Sequence, residues 1–189
     1  MTLIELMIVV TIIATIASIG STMYGGALLN ARFMKAKQEL RIISKDIAEW
    51  QARNGWIIPE TLYQVGHGGR VDPWGFPYMY LNFATGTGSG MRYVTEAGIV
   101  DPVGVSRLRG GGGGIGVVRI APDEVTPLTK VQVDALKRKD RFLFPLNSDY
   151  DLFSVGPNGI SLAGLTDLKS LDDVIRADDG QFFGRARDY

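Results

Sequence analysis

Between Met1 and Tyr24 the chain is apolar on every face, and a single acidic side chain, Glu5, interrupts it. A surface helix of a globular domain carries a one-sided stripe, which LIELMIVVTIIATIASIG does not. About 20 such residues suffice to cross the hydrocarbon core of a bilayer, so this segment is expected in a membrane or among other apolar helices. A cleaved signal peptide would need a basic region before the run and a small-residue cleavage site after it, and neither stands out. A plain signal anchor accounts for the apolar side chains but leaves the acid unexplained. Placing a carboxylate inside such a span costs roughly 2.5–3.5 kcal/mol, which marks Glu5 as functional. The acid lies about one helical turn from the start of the chain. If Met1 is the mature N-terminus, its α-amino group is the natural counter-charge, within one chain or between staggered neighbours. A buried charge resists docking until a partner neutralises it, so a pair between copies would select the correct axial register. Ala14, Ala17, Ser21 and Gly25, and likewise Thr11, Thr15, Ser18 and Thr22, form small-residue stripes. Such stripes let helix backbones approach closely, although chance produces them too in a span this rich in small residues.

Past Gly25-Gly26 the pattern becomes one-sided. Leu29, Phe33, Ala36, Leu40, Ile43, Ile47 and Trp50 recur at three- and four-residue steps, with Arg32, Lys35, Lys37, Glu39, Arg41, Lys45, Asp46, Glu49 and Arg53 elsewhere. That periodicity predicts one long helix with an apolar front half and an amphipathic rear half, stopped at Asn54-Gly55. Gly20, Gly25 and Gly26 mark where it would bend. Elsewhere the letters mostly exclude. Twenty basic and 20 acidic residues leave no net field for nucleic acid. Without cysteine there is no disulfide, thiolate metal site or cysteine nucleophile. The only histidine, His67, sits in the turn-like Gly66-His67-Gly68-Gly69, weak ground for a membrane-anchored enzyme. The expectation is a chain without catalytic residues.

The opening Met1-Thr2-Leu3-Ile4-Glu5-Leu6 and the split helix resemble the type IV pilin superfamily. WQARNGWIIP (Trp50–Pro59), VDPWGFPYMYL (Val71–Leu81) and DYDLFSVGPNG (Asp149–Gly159) are similar, in that order, to the major pseudopilin of type II secretion systems. The resemblance covers about residues 1–83 and 147–175. It implies an α+β, pilin-like fold: a long N-terminal helix packed on a small antiparallel sheet. It further implies a leader removed by a prepilin peptidase, N-methylation of Met1, and assembly through Met1 and Glu5. The product would be a homopolymer working with minor pseudopilins and an inner-membrane platform. The subunit would lie in the inner membrane of a Gram-negative cell before assembly and in a periplasmic filament afterwards, driving protein secretion. A surface pilin for adhesion or motility is the alternative. The family usually has proline near position 22, where this chain has Thr22.

The resemblance divides the chain into 1–26 (filament-core half of the helix), 27–83 (amphipathic helix and start of the globular domain), 84–146 (insertion) and 147–189 (last strand and C-terminal loop). Local chemistry agrees at several points. Asp72-Pro73-Trp74-Gly75 suits a type I turn. Phe76, Tyr78 and Tyr80 alternate with Pro77, Met79 and Leu81, as on a short strand, and Tyr150–Val155 reads as another. Within the insertion, Gly110–Gly114 lacks the Lys-Ser/Thr of a phosphate loop and reads as a linker or hairpin tip. MRYVTEA is strand-like, Thr129–Lys139 predicts a short helix, and Arg141–Pro145 a strand. An outward excursion that decorates the filament or meets a partner is expected. The resemblance also implies a calcium loop using Asn158, Asp172 and Asp173. Calcium takes six to eight oxygens, and Asp167 could add to the set. A solvated acidic loop is the equal alternative.

Overall fold

The computed structural model describes residues 2–90, 93–95, 98–100 and 128–189, with backbone only at 19–23, 93–95, 98–100 and 132. Helix α1 runs unbroken over Leu3–Arg53, 51 residues, or about 76 Å at 1.5 Å per residue. It passes Gly20, Gly25 and Gly26 without a break in the isolated chain. It stops where the Asn54-Gly55 signal places it. Asn54 donates from its backbone to Trp50 and from its side chain to the same carbonyl, and Gly55 turns left-handed at φ 68°.

Every residue from Thr2 to Arg32 whose side chain is described is exposed; burial on α1 begins at Phe33. Ala36, Leu40, Ile43 and Ile47 are fully buried, the central part of the stripe read from the sequence. They pack on a five-stranded antiparallel sheet of order β2-β1-β5-β6-β7, formed by β1 (Met79–Asn82), β2 (Gly88–Ser89), β5 (Tyr150–Ser154), β6 (Val174–Ala177) and β7 (Phe182–Arg185). A separate pair joins β3 (Tyr93–Thr95) to β4 (Gly98–Val100). Alternation along β1 sorts its side chains. Tyr78 and Tyr80 join Leu152, Tyr150 and Val174 against α1, while Met79 and Leu81 join Phe153, Val155 and Ile175 on the opposite face. That second face is covered by Leu136 of helix α2 (Lys130–Leu136), by Leu146 and by Leu165. The molecule is therefore α+β in three layers, with a core on each side of the sheet.

Asp72–Gly75 forms the expected turn, closed by the Gly75 N–H on the Asp72 carbonyl at 3.0 Å. The Asp72 carboxylate adds bonds from the Trp74 and Phe76 amides and from the Ser154 hydroxyl, tying the turn to β5. Burial leads the influences on this carboxyl and raises it above its ordinary range.

Three expectations need amendment. Beyond β5 a strand hairpin, β6–β7, stands where a loop was expected, joined through Asp178-Asp179-Gly180, all at positive φ. Arg141–Pro145 forms no strand. Its Asp140 N–H turns back to the Leu143 carbonyl, Phe142 is exposed, and Pro145 has no donor for a ladder. Residues 84–90 and 128–146 were expected in an outward excursion, and they pack on the head instead. The first group supplies β2, and the second supplies Val133, Leu136 and Leu146 to the core. The two ends meet at Gly86, whose carbonyl accepts the Leu128 N–H at 2.9 Å. Gly110–Gly114 lies outside the described residues.

Candidate functional site

At the start of α1, Thr2 and Glu5 cap the helix reciprocally. The Thr2 N–H donates to Glu5 Oε2 at 2.7 Å and the Thr2 hydroxyl to the same oxygen at 3.1 Å, while the Glu5 N–H donates to Thr2 Oγ1 at 3.4 Å. The first turn of a helix leaves its N–H groups without intrahelical partners, and this capping box satisfies two. Glu5 thus already has neutral donors within its own chain. Thr2 was legible as a cap, since Thr-x-x-Glu before an apolar run is the capping-box signature, yet the sequence reading passed over it. Met1 lies outside the described residues.

Leu3, Ile4 and Ile16 are each about two-thirds exposed or more, and the other large apolar residues from Leu6 to Ile13 about half or more. Thr11 donates its hydroxyl back to the Met7 and Ile8 carbonyls, and Thr15 to Thr11 and Ile12. Such back-bonding occupies the Thr11 and Thr15 hydroxyls within the helix itself. A continuous exposed apolar surface of this kind marks an interaction site in a folded protein. Among the described residues, no helix is long and apolar enough to cross a membrane. Side chains are not described at 19–23, so those of Ser21 and Thr22 in the small-residue stripes lie outside the described set.

The C-terminal loop brings Asn158 and Asp172 together but sends Asp173 elsewhere. The Asn158 side-chain amide donates to the Lys169 carbonyl at 2.7 Å and to Asp172 Oδ1 at 2.6 Å, and its carbonyl oxygen accepts the Ile160 N–H at 2.7 Å. Its backbone N–H reaches Asp172 Oδ2 at 3.2 Å. Asp173 is fully buried, and its Oδ2 takes the Arg138 guanidinium and the Ser161 hydroxyl. Asp167 turns its carboxylate to the Lys169 N–H. Among the described residues no three His, Cys, Asp or Glu side chains gather as a metal-ligating group. The implied ligands Asn158, Asp172 and Asp173 do not fit a calcium ion as arranged, because a donor amide and a guanidinium face the carboxylates.

Arg138 is the residue the sequence concealed. It lies between two lysines at the end of the stretch expected as a short helix, yet it is 1% exposed. Its guanidinium lies 3.9 Å from the Phe153 ring centre and donates to Ser161 at 2.7 Å, and its backbone N–H donates to the buried Asp151 carboxylate at 2.9 Å. Burial pushes Asp173 up to about 7, with Arg138 and Ser161 pulling against it. Its Oδ1 has no partner, so a proton there displaces no bond.

His67 serves as a tie between a loop and α1. Its Nε2 lies 2.6 Å from Asp46, and its Nδ1 lies 3.1 Å from Arg70, which also donates to Glu39. Tyr78 closes the same chain by donating to Glu39. No family model, no curated protein and no solved structure matches the chain.

Proposed function

We propose that this chain is the pilin-like structural subunit of a periplasmic pseudopilus, a homopolymer held together by the front half of α1 and driving protein secretion. The supporting observation is a single rod that joins an exposed apolar half to a folded domain, with Glu5 as its one charge. A soluble domain has no use for such a half unless other copies or lipid cover it. In this reading the segment rests in the inner membrane before assembly, and the platform and minor pseudopilins draw it into the filament.

Glu5 then acts in two states. In a lone copy Thr2 holds its carboxylate with an N–H and a hydroxyl. On docking, the Met1 α-amino group of an adjoining copy approaches Glu5. Hydrogen bonds between charged partners are roughly twice as strong as neutral ones, so the exchange favours the correctly staggered neighbour. The prepilin peptidase and methylation at Met1 belong to the same reading.

The test is Glu5→Ala in the native host. Filaments, followed by electron microscopy and by cross-linking between copies, should be lost, with the purified variant keeping the wild-type melting midpoint. Ordered filaments from Glu5→Ala would overturn the assignment of Glu5. Loss of secretion without loss of surface attachment in a deletion strain distinguishes the pseudopilus from a surface pilin.

A further inference from the structure

We infer that the C-terminal loop, residues 156–173, is closed by two donor groups of the chain itself, the Asn158 amide and the Arg138 guanidinium, instead of a divalent cation. A cation loop neutralises converging carboxylates with metal charge. Here each carboxylate already has a nitrogen. Asp172 accepts from the Asn158 side chain at 2.6 Å and from its backbone N–H, and Asp173 accepts from Arg138. Asn158 is fully committed: its NH2 faces two acceptors, the Lys169 carbonyl and Asp172, and its oxygen faces a donor, the Ile160 N–H. Reversing the amide would set oxygen against both acceptors, so the partners fix its orientation.

The guanidinium arrives from outside the loop. Arg138 follows α2, on the return from the stretch between Gly86 and Leu128. The Lys139 N–H donates to the Ala163 carbonyl at 2.9 Å and the Leu165 N–H to the Lys139 carbonyl at 2.9 Å, which stitches the two segments side by side. Ser161 donates to the same Asp173 oxygen, and Arg138 holds Ser161 in turn. The returning segment therefore has a duty beyond decoration: it delivers the internal cation that orders the loop. Order in this loop depends on chain connectivity rather than on calcium concentration.

The full chain in detergent micelles provides the test, with thermal unfolding read in excess chelator and in excess calcium chloride. Wild type should melt at the same temperature in both, since a ligand that bound only the folded chain would raise the midpoint. Asn158→Asp should melt lower in chelator, by at least the 2–4 °C or so that one lost hydrogen bond gives a domain of this size. It turns a carboxylate toward Asp172 and the Lys169 carbonyl, so calcium should restore its midpoint. Arg138→Gln should melt lower in both conditions, and calcium should not repair it. If that variant does not fold, wild type and Asn158→Asp decide the matter. A saturable rise of the wild-type midpoint with calcium, or an Asn158→Asp midpoint equal to wild type in chelator, overturns the inference.

Discussion

Asp173 and Arg138 show how far a residue's role can depart from its letter. A buried guanidinium that loses its carboxylate is left uncompensated, at about 3–5 kcal/mol, so Asp173→Ala should lower the unfolding free energy by that order in a denaturant titration. The pair also carries a pH signature. Asp173 rises from 3.8 in the unfolded chain to about 7 in the folded one, first through burial. A carboxyl that holds its proton more tightly when folded stabilises the fold fully below pH 3.8. That contribution is lost as pH rises through about 7. Comparing wild type with Asp173→Asn from pH 4 to 8, the difference should move against wild type up to about pH 7 and then level. A difference moving in wild type's favour over that window would mean that Arg138 dominates the carboxyl. None of this was readable beforehand. Lys137, Arg138 and Lys139 are chemically alike in the sequence, and only the placement of α2 over the sheet selects the middle one for burial. Asp72 was easier, because its turn is local and its carboxylate caps amides two and four positions on.

At the level of elements, the long helix and β1 were plain because each repeats its pattern within its own residues. Ala36, Leu40, Ile43 and Ile47 keep helical spacing, and Tyr78 and Tyr80 alternate with Met79 and Leu81. The β6–β7 hairpin is short, and residues 147–189 were expected to hold one strand and a loop, although Asp179-Gly180 between apolar runs is a hairpin signal. Helix α2 was expected, but its membership of the core was not, since only Val133 and Leu136 of its four apolar residues are buried. Leu136→Ala should cost about 2–5 kcal/mol, measurable by chemical denaturation. A surface helix on an appended module would show almost no loss. Gly86 is equally diagnostic. It sits at φ +69°, and an added Cβ would lie 2.6 Å from the Leu128 carbonyl oxygen. Gly86→Ala should destabilise by roughly 1–2 kcal/mol from backbone strain alone. Chemical denaturation of that variant checks the loss.

The whole molecule is a rod with a head on one end, and the two parts are separable in energy. Because every residue from Thr2 to Arg32 whose side chain is described is exposed, deleting residues 1–28 removes no described residue of either core. The shortened chain should keep the wild-type melting midpoint and run as a monomer in size exclusion, with no filaments. A large drop in the midpoint would show that the front half supports the head. Meanwhile the hydrogen bond from Leu128 to Gly86 brings two distant points of the chain to one address on the sheet. A fold gathered at a neck like this tolerates exchange. If copies polymerise as proposed, sequence added after β2 and before Leu128, from another source and of another length, would ride on each repeating unit as a tag, at whatever density the polymer sets.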